Sequence, residues 1–116
     1  MPNSSSRAMT NSTRSRLSEP RSSLKLASIV IFARSLAREL GSRTITVNVV
    51  APGPVETDMT NALTQEQRDN MLGAVPLGRM ATPQEIAGVV AFLASQDAAY
   101  ITGAVIPVDG GLGMGH

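Results

Sequence analysis

The chain has 116 residues, 42% of them hydrophobic, with no Cys, no Trp, one Tyr, one Lys and a single His at its last position, which suits one domain with a core and not two. The Cys and His counts exclude disulfides, thiolate zinc sites, cysteine nucleophiles, Ser-His-Asp triads and HExxH metal chemistry. With 3% aromatic residues, a net charge of +1 and no apolar run longer than Val89 to Ala94, neither a nucleic acid nor a membrane is expected as a partner.

The charge is unevenly placed. Residues 1–25 carry Arg7, Arg14, Arg16, Arg21 and Lys25 against Glu19, whereas residues 26–116 carry five Arg against eight acids. Met1 to Ser23 is rich in Ser, Thr, Asn and Arg, and Met1, Met9, Leu17 and Ala8 are too little apolar surface to offset the entropy of ordering it. Three readings of residues 1–23 stay open: a disordered tail, an organelle transit peptide, or a non-native leader from a shifted reading frame or internal start. No amphipathic apolar face accompanies the arginines, which weighs against targeting.

Residues 24–116 read as a folded α/β segment. Leu24 to Leu40 is a predicted helix, apolar on all sides at first (Leu26, Ala27, Ile29, Val30, Ile31, Phe32) and then on one stripe (Phe32, Leu36, Leu40) opposite Arg34, Ser35, Arg38 and Glu39. That pattern predicts burial at its start and partial exposure at its end. Gly41 is the expected C′ residue. Ile45, Val47, Val49 and Val50 predict a β-branched strand that Pro52-Gly53 terminates, followed by a polar loop from Pro54 to Thr60. Thr64-Gln65-Glu66-Gln67 is a capping box for a short, weakly apolar helix contacting through Leu63, Met71 and Leu72. Thr82-Pro83-Gln84-Glu85 combines an N-cap, a Pro at N1 and a Glu at N3. Behind it Ile86, Val89, Val90 and Leu93 form one face, and Ala87, Ala91 and Ala94 a second, small-residue face. The last strand spans Ala104 to Val108 and ends at Asp109-Gly110-Gly111; the glycines from Gly110 to Gly115 read as a flexible tail, because no helix follows them.

Strand, long helical crossover, strand is the grammar of a parallel pair in a doubly wound sheet. Two strands do not make a stable sheet, so the rest of the sheet is expected elsewhere, N-terminal to residue 24 in a complete protein.

Three stretches carry a family resemblance: Ala33-Arg34-Ser35-Leu36-Ala37-Arg38-Glu39-Leu40, the run Ile45-Thr46-Val47-Asn48-Val49-Val50-Ala51-Pro52-Gly53-Pro54-Val55-Glu56-Thr57-Asp58-Met59, and Tyr100-Ile101-Thr102-Gly103 leading to Val108-Asp109-Gly110-Gly111. In order and spacing they resemble the C-terminal part of short-chain dehydrogenase/reductases, in particular the bacterial 3-oxoacyl-acyl-carrier-protein reductases, over roughly Ala27 to His116. The closing Gly-Met-Gly-His is similar to the actinobacterial branch. The resemblance implies an α/β fold, the C-terminal part of a Rossmann-like doubly wound parallel sheet, incomplete, in the order helix, strand, helices, strand. It also implies NADP or NAD as cofactor, an acyl-carrier-protein-linked or other carbonyl substrate, a homo-oligomer (a tetramer in intact relatives) and a cytoplasmic location.

By the same resemblance, Pro52 and Gly53 form the turn presented to the nicotinamide, where the lack of bulky side chains lets backbone approach the ring. Val55 holds the carboxamide through its backbone, and the Thr57 hydroxyl bonds the carboxamide or a phosphate. On residue type alone, Pro52-Gly53 is an ordinary strand-ending turn, and Glu56 and Asp58 are solvated loop acids. Thr60 to Met80 corresponds to the substrate loop and its helix, where Met71, Leu72 and Val75 either touch an acyl chain or pack in the core.

Catalysis in this family needs a Tyr that gives a proton to the carbonyl oxygen and a Lys four residues later that lowers the phenol pKa. Counting back from Ala33 puts Ser22 at the tyrosine position and Leu26 at the lysine position; a one-residue shift onto Lys25 brings Arg21 to the tyrosine position. The single Tyr, Tyr100, is followed four residues later by Ala104 and reads as a packing residue. The glycine-rich phosphate turn and the catalytic Ser have no counterpart either. The expectation is a reductase fragment without a catalytic residue and inactive alone. Alternatives are a module that associates with full-length homologues and a non-functional truncated product.

Overall fold

The computed structural model describes residues 20–114, so the readings for residues 1–19 and for Gly115 and His116 lie outside the described residues. Its elements are α1 (Pro20–Leu40), a 3₁₀ turn (Gly41–Arg43), β1 (Val49–Pro52), α2 (Asp58–Asn61), α3 (Gln65–Leu72), α4 (Pro83–Leu93), a second 3₁₀ turn (Gln96–Ala98) and β2 (Val105–Val108). The chain divides into two units within α1, between Phe32 and Ala33.

In the first unit the described residues are all α1, which begins at Pro20, four residues before the expected start. The expected burial is reversed here. Leu24, Leu26, Ile29, Ile31 and Phe32 are all exposed, because no other described element lies in this unit to cover an apolar surface that runs around the helix.

The second unit holds the small core of Ala33, Ala37, Val75, Met80 and Ala98. Along the end of α1 the buried residues are the alanines, with Leu36 and Leu40 half-buried. Small side chains admit backbone: Arg34 Nε donates to the Gly103 carbonyl at 3.1 Å, and a Cβ on Gly103 would lie 3.9 Å from that of Ala37.

Gly41 does not take the left-handed position. The helix tightens into the 3₁₀ turn and Thr44 takes it, with φ 58°. The Thr44 N–H donates to the Gly41 carbonyl at 3.0 Å and the Ile45 N–H to that of Leu40 at 3.3 Å, the paired bonds of a Schellman motif with Thr44 as C′. A β-branched residue is strained there, so Thr44→Gly is expected to raise stability by ~1 kcal/mol, read as a higher urea midpoint.

The first strand is shorter than its apolar alternation predicts. β1 pairs in parallel with β2 over four residues, Val49 opposite Val105 through Pro52 opposite Val108. Upstream the regular ladder ends at Gly103, φ 74°, whose N–H still donates to the Val47 carbonyl at 2.8 Å, and side chains add the remaining bonds. The Val47 N–H donates to Thr102 Oγ1 at 3.0 Å, and Asn48 Nδ2 donates to the Ile101 carbonyl at 3.1 Å. Asn48 Oδ1 in turn accepts from the Ala104 N–H at 3.0 Å. The Val49 and Gly53 N–H groups donate to the Ala104 and Val108 carbonyls. By strand alternation the nitrogens of Pro52 and Pro107 therefore face away from the ladder, where a missing N–H breaks no pairing. The result is the α/β arrangement expected of part of a Rossmann-like sheet.

Pro54 to Thr60 is not wholly a loop, since α2 begins within it, at Asp58. Its Thr57 N-cap accepts from the Thr60 N–H at 3.3 Å while the Thr57 N–H donates to Thr60 Oγ1 at 2.7 Å. Arg68 Nη1 donates to the Thr60 carbonyl at 2.8 Å, a cation at the carbonyl end of that turn. The Thr64 and Thr82 boxes form as predicted on α3 and α4, with Pro83 at N1. Ile86, Val89 and Leu93 are half-buried; Val90 and the alanine face of Ala87, Ala91 and Ala94 are exposed. Tyr100 does not pack: it is fully exposed beyond the second 3₁₀ turn. No helix among the described residues is long and apolar enough to cross a membrane.

Candidate functional site

The resemblance singled out Pro52, Gly53, Val55 and Thr57, which follow one another off the end of β1. The Gly53 N–H donates to the Val108 carbonyl at 3.1 Å. A Cβ on Gly53 would stand 2.8 Å from both Cα and Cβ of Asp109, closer than real Cβ contacts. Glycine is thus required here by Asp109, a reason independent of any ligand.

Val55 makes an isolated parallel bridge to Ala81. The Glu56 N–H donates to the Ala81 carbonyl and the Ala81 N–H to the Pro54 carbonyl, each at 2.9 Å. Neighbours on both sides of Val55 therefore point at Ala81, and the N–H and C=O of Val55 itself point to the opposite side. Its carbonyl receives Thr60 Oγ1 at 3.4 Å. The Thr57 oxygen works as an acceptor in the N-cap, and a hydroxyl in that role retains its proton for donation. Pro52 and Gly53 carry no polar side-chain atoms, so of the four residues only Thr57 offers a ligand a polar side-chain group, its hydroxyl, to which Val55 adds its outward-facing backbone N–H and C=O.

Beside this segment lies a cleft of about 460 Å³, walled by Pro54 and Ala81, by Pro76, Leu77 and Arg79, by Pro107 to Gly111 and by Met114. The glycine run here is an ordered turn through residue 114, contrary to the expected tail. Gly110 and Gly111 adopt φ 65° and 96°, and Asp109 Oδ1 and Oδ2 accept from the Gly111 and Gly113 N–H groups at 3.0 and 2.9 Å. The Leu77 N–H donates to the Gly110 carbonyl at 3.1 Å. Val75, one of the residues read as either an acyl contact or core, is core; Met71 and Leu72 are half-buried.

On the same wall Arg79 Nη1 and Nη2 grip Glu85 Oε1 and Oε2, both at 2.8 Å. Bonding to that guanidinium and to the Thr82 backbone N–H holds the Glu85 carboxyl down at about 2, against 4.5 ordinarily. A depressed carboxylate stabilises the fold above its unfolded pKa and loses that contribution as pH falls toward the folded one. The thermal-stability advantage of the native chain over Glu85→Gln is therefore expected to hold at pH 5 and above and to shrink between about pH 4.5 and 2, as followed by circular dichroism. The pairing of Glu85 with Arg79 was not legible in the sequence, because Arg79 precedes the helix and no helical spacing relates the two. Asp109 was missed as well. Its signal, an Asp followed by glycines two and four residues on, is in sequence terms equally that of a strand stop. Among the described residues no cluster of three or more His, Asp or Glu offers a metal site.

A family model described as enoyl-(acyl carrier protein) reductase matches residues 9–113. The 3-oxoacyl-acyl-carrier-protein reductase MabA of Mycobacterium bovis is 58% identical over 90 residues, 78% of this chain and 36% of that protein. The corresponding reductase FabG of Pseudomonas aeruginosa is 60% identical over 83 residues, 72% of this chain and 34% of its own length. That of Escherichia coli is 59% identical over 88 residues, 76% and 36% respectively. The chain thus spans about a third of the length of these curated relatives.

Proposed function

Since the chain belongs to the short-chain dehydrogenase/reductase family, we propose that Pro52, Gly53, Val55 and Thr57 form the nicotinamide-facing edge of an NAD(P)-dependent reductase site of the 3-oxoacyl-acyl-carrier-protein type. The observation that carries this reading is the orientation of Val55, whose backbone donor and acceptor are turned away from Ala81. A carboxamide needs that pair of groups, an acceptor for its NH₂ and a donor for its oxygen. The Thr57 hydroxyl proton adds a second donor. Identity of 58–60% to 3-oxoacyl reductases supports that reduction over the enoyl reduction in the family model's description.

When bound, the dinucleotide supplies a hydride to the carbonyl carbon. This chain's residues orient the carboxamide end and leave the proton for the carbonyl oxygen without a donor, since no Tyr-x-x-x-Lys occurs in the sequence. The reading is therefore a C-terminal portion, residues 24–116, of a cytoplasmic, oligomeric reductase behind a distinct leader, residues 1–23. That boundary is drawn on composition and on the loss of motif, the family match itself beginning at residue 9. The purified 116-residue chain is expected to show no steady NADPH oxidation with an acetoacetyl thioester, and turnover would overturn its incompleteness. Reduced nicotinamide mononucleotide is expected to shift the Val55, Glu56 and Thr57 amide resonances; unchanged resonances would overturn the cofactor edge.

The exposed Val90 and Phe92 on α4, beside the alanine face, favour the second reading, a module that joins intact subunits. Co-elution with a full-length homologue in size-exclusion chromatography supports it, and a lone monomer peak counts against it.

A further inference from the structure

We infer that Asp109 is a positioning residue, a clamp whose carboxylate fixes the Gly110–Gly113 turn and through it ties the Pro52-Gly53 end of β1 to the Val75–Leu77 segment that follows α3. Its link to function rests on reading Pro52 to Thr57 as the cofactor edge.

Asp109 makes three connections at once. Its two carboxylate oxygens hold the Gly111 and Gly113 amides, adding to the backbone bonds from the Leu112 N–H to the Asp109 carbonyl and from the Met114 N–H to that of Gly111 in a turn with two left-handed glycines. Its Cα and Cβ abut Gly53 so closely that no other residue type fits there. The turn that it holds then seats its own glycines on the chain opposite: a Cβ on Gly110 would meet Val75 Cγ1, and one on Gly111 would meet Pro76 Cγ, each at 2.8 Å. The Gly110 carbonyl also accepts from the Leu77 N–H. Pro54, Val108, Pro76 and Leu77 all line the cleft, so the turn that the carboxylate holds joins chain segments that wall it. Charge-assisted bonds to two backbone amides are the strong kind, and no other side chain is hydrogen-bonded to that turn among the described residues.

Amide hydrogen exchange on the full chain tests the clamp without any nucleotide. Asp109→Ala is expected to speed exchange at Gly111 and Gly113 and, with them, at Gly53 and Leu77 by about tenfold or more, while Val49 and Gly103, at the far end of the strand pairing, stay within about twofold. Asp109→Asn keeps one acceptor oxygen but turns an NH₂ toward the second amide, so it is expected to hold Gly53 and Leu77 at rates between those of the native chain and of Asp109→Ala. Acceleration at Gly111 and Gly113 alone would mean that the carboxylate caps its own turn and nothing more. Equal acceleration at all six amides would mean a general contribution to stability; either result overturns the clamp. Exchange of the native chain across low urea needs no substitution: Gly53, Leu77, Gly111 and Gly113 share one opening if they are clamped together and diverge if they are not. Failure of the cofactor reading would show separately, as the absence of nucleotide-induced shifts at Val55 to Thr57.

Discussion

Gly53→Ala is expected to destabilise the fold by ~2–3 kcal/mol, the range for forcing an extra methyl into a packed site. The added Cβ would lie 2.8 Å from Asp109 Cα and Cβ and 3.2 Å from its carbonyl oxygen. Two of these three are backbone atoms, and the third is fixed by the Gly111 and Gly113 bonds, so no flexible side chain can yield. The strand end would have to move instead, breaking the Gly53 N–H bond to Val108. Gly88, inside α4 with nothing near its vacant Cβ position, is the matched control. Gly88→Ala removes a helix-interior glycine and is expected to stabilise by about 0.5–1 kcal/mol. Urea unfolding of both variants by far-UV circular dichroism checks the pair, and a neutral Gly53→Ala would contradict the packing described.

The second large effect is expected at Gly110, where two costs coincide. The residue sits at φ 65°, and its Cβ position lies 2.8 Å from Val75 Cγ1, a buried side chain. Gly110→Ala is expected to cost ~2–4 kcal/mol, the sum of a left-handed alanine and an overpacked core contact. Asn tolerates the left-handed region but carries the same Cβ, so Gly110→Asn is expected to remain strongly destabilising. At Gly78, also left-handed at φ 73° but open around its Cβ position, Asn is expected to cost a few tenths of a kcal/mol or about 1 at most. A rescue of Gly110 by Asn would mean that backbone conformation, and not Val75, sets the requirement.

Features governed by short-range chemistry were legible in the sequence. The Thr64 and Thr82 boxes join residues three apart, and both helices begin where those boxes put them. The parallel pairing followed from the length and helical content of the crossover. What escaped was set by partners distant in the chain. The Thr57 box was missed because its N3 residue is Thr60 and not the Glu or Gln of the usual pattern. Gly41 looked like the helix stop until the extra 3₁₀ turn handed the left-handed position to Thr44. The burial of α1 was misjudged because hydrophobicity states what a surface favours, whereas exposure depends on what else is present to cover it. Of the four site residues, the turn at Pro52 and Gly53 was visible in the sequence. The contact that makes Gly53 indispensable was not, because Asp109 reaches it only through the strand register.

The Asn48 side chain that pins Ala104 bridges residues 56 positions apart in the chain. Closing a loop of that length costs entropy before any contact within it is rewarded, and such long-range closures slow folding. α3 and α4, each begun by its own capping box, can form on local information while the two strands still search for each other. Register is marked by one amide side chain that satisfies both the Ile101 carbonyl and the Ala104 N–H, groups that a strand shifted by one residue would present to the opposite side. Asn48 thus serves as a gauge of alignment as well as a fastener, since only the native register satisfies both ends of its amide.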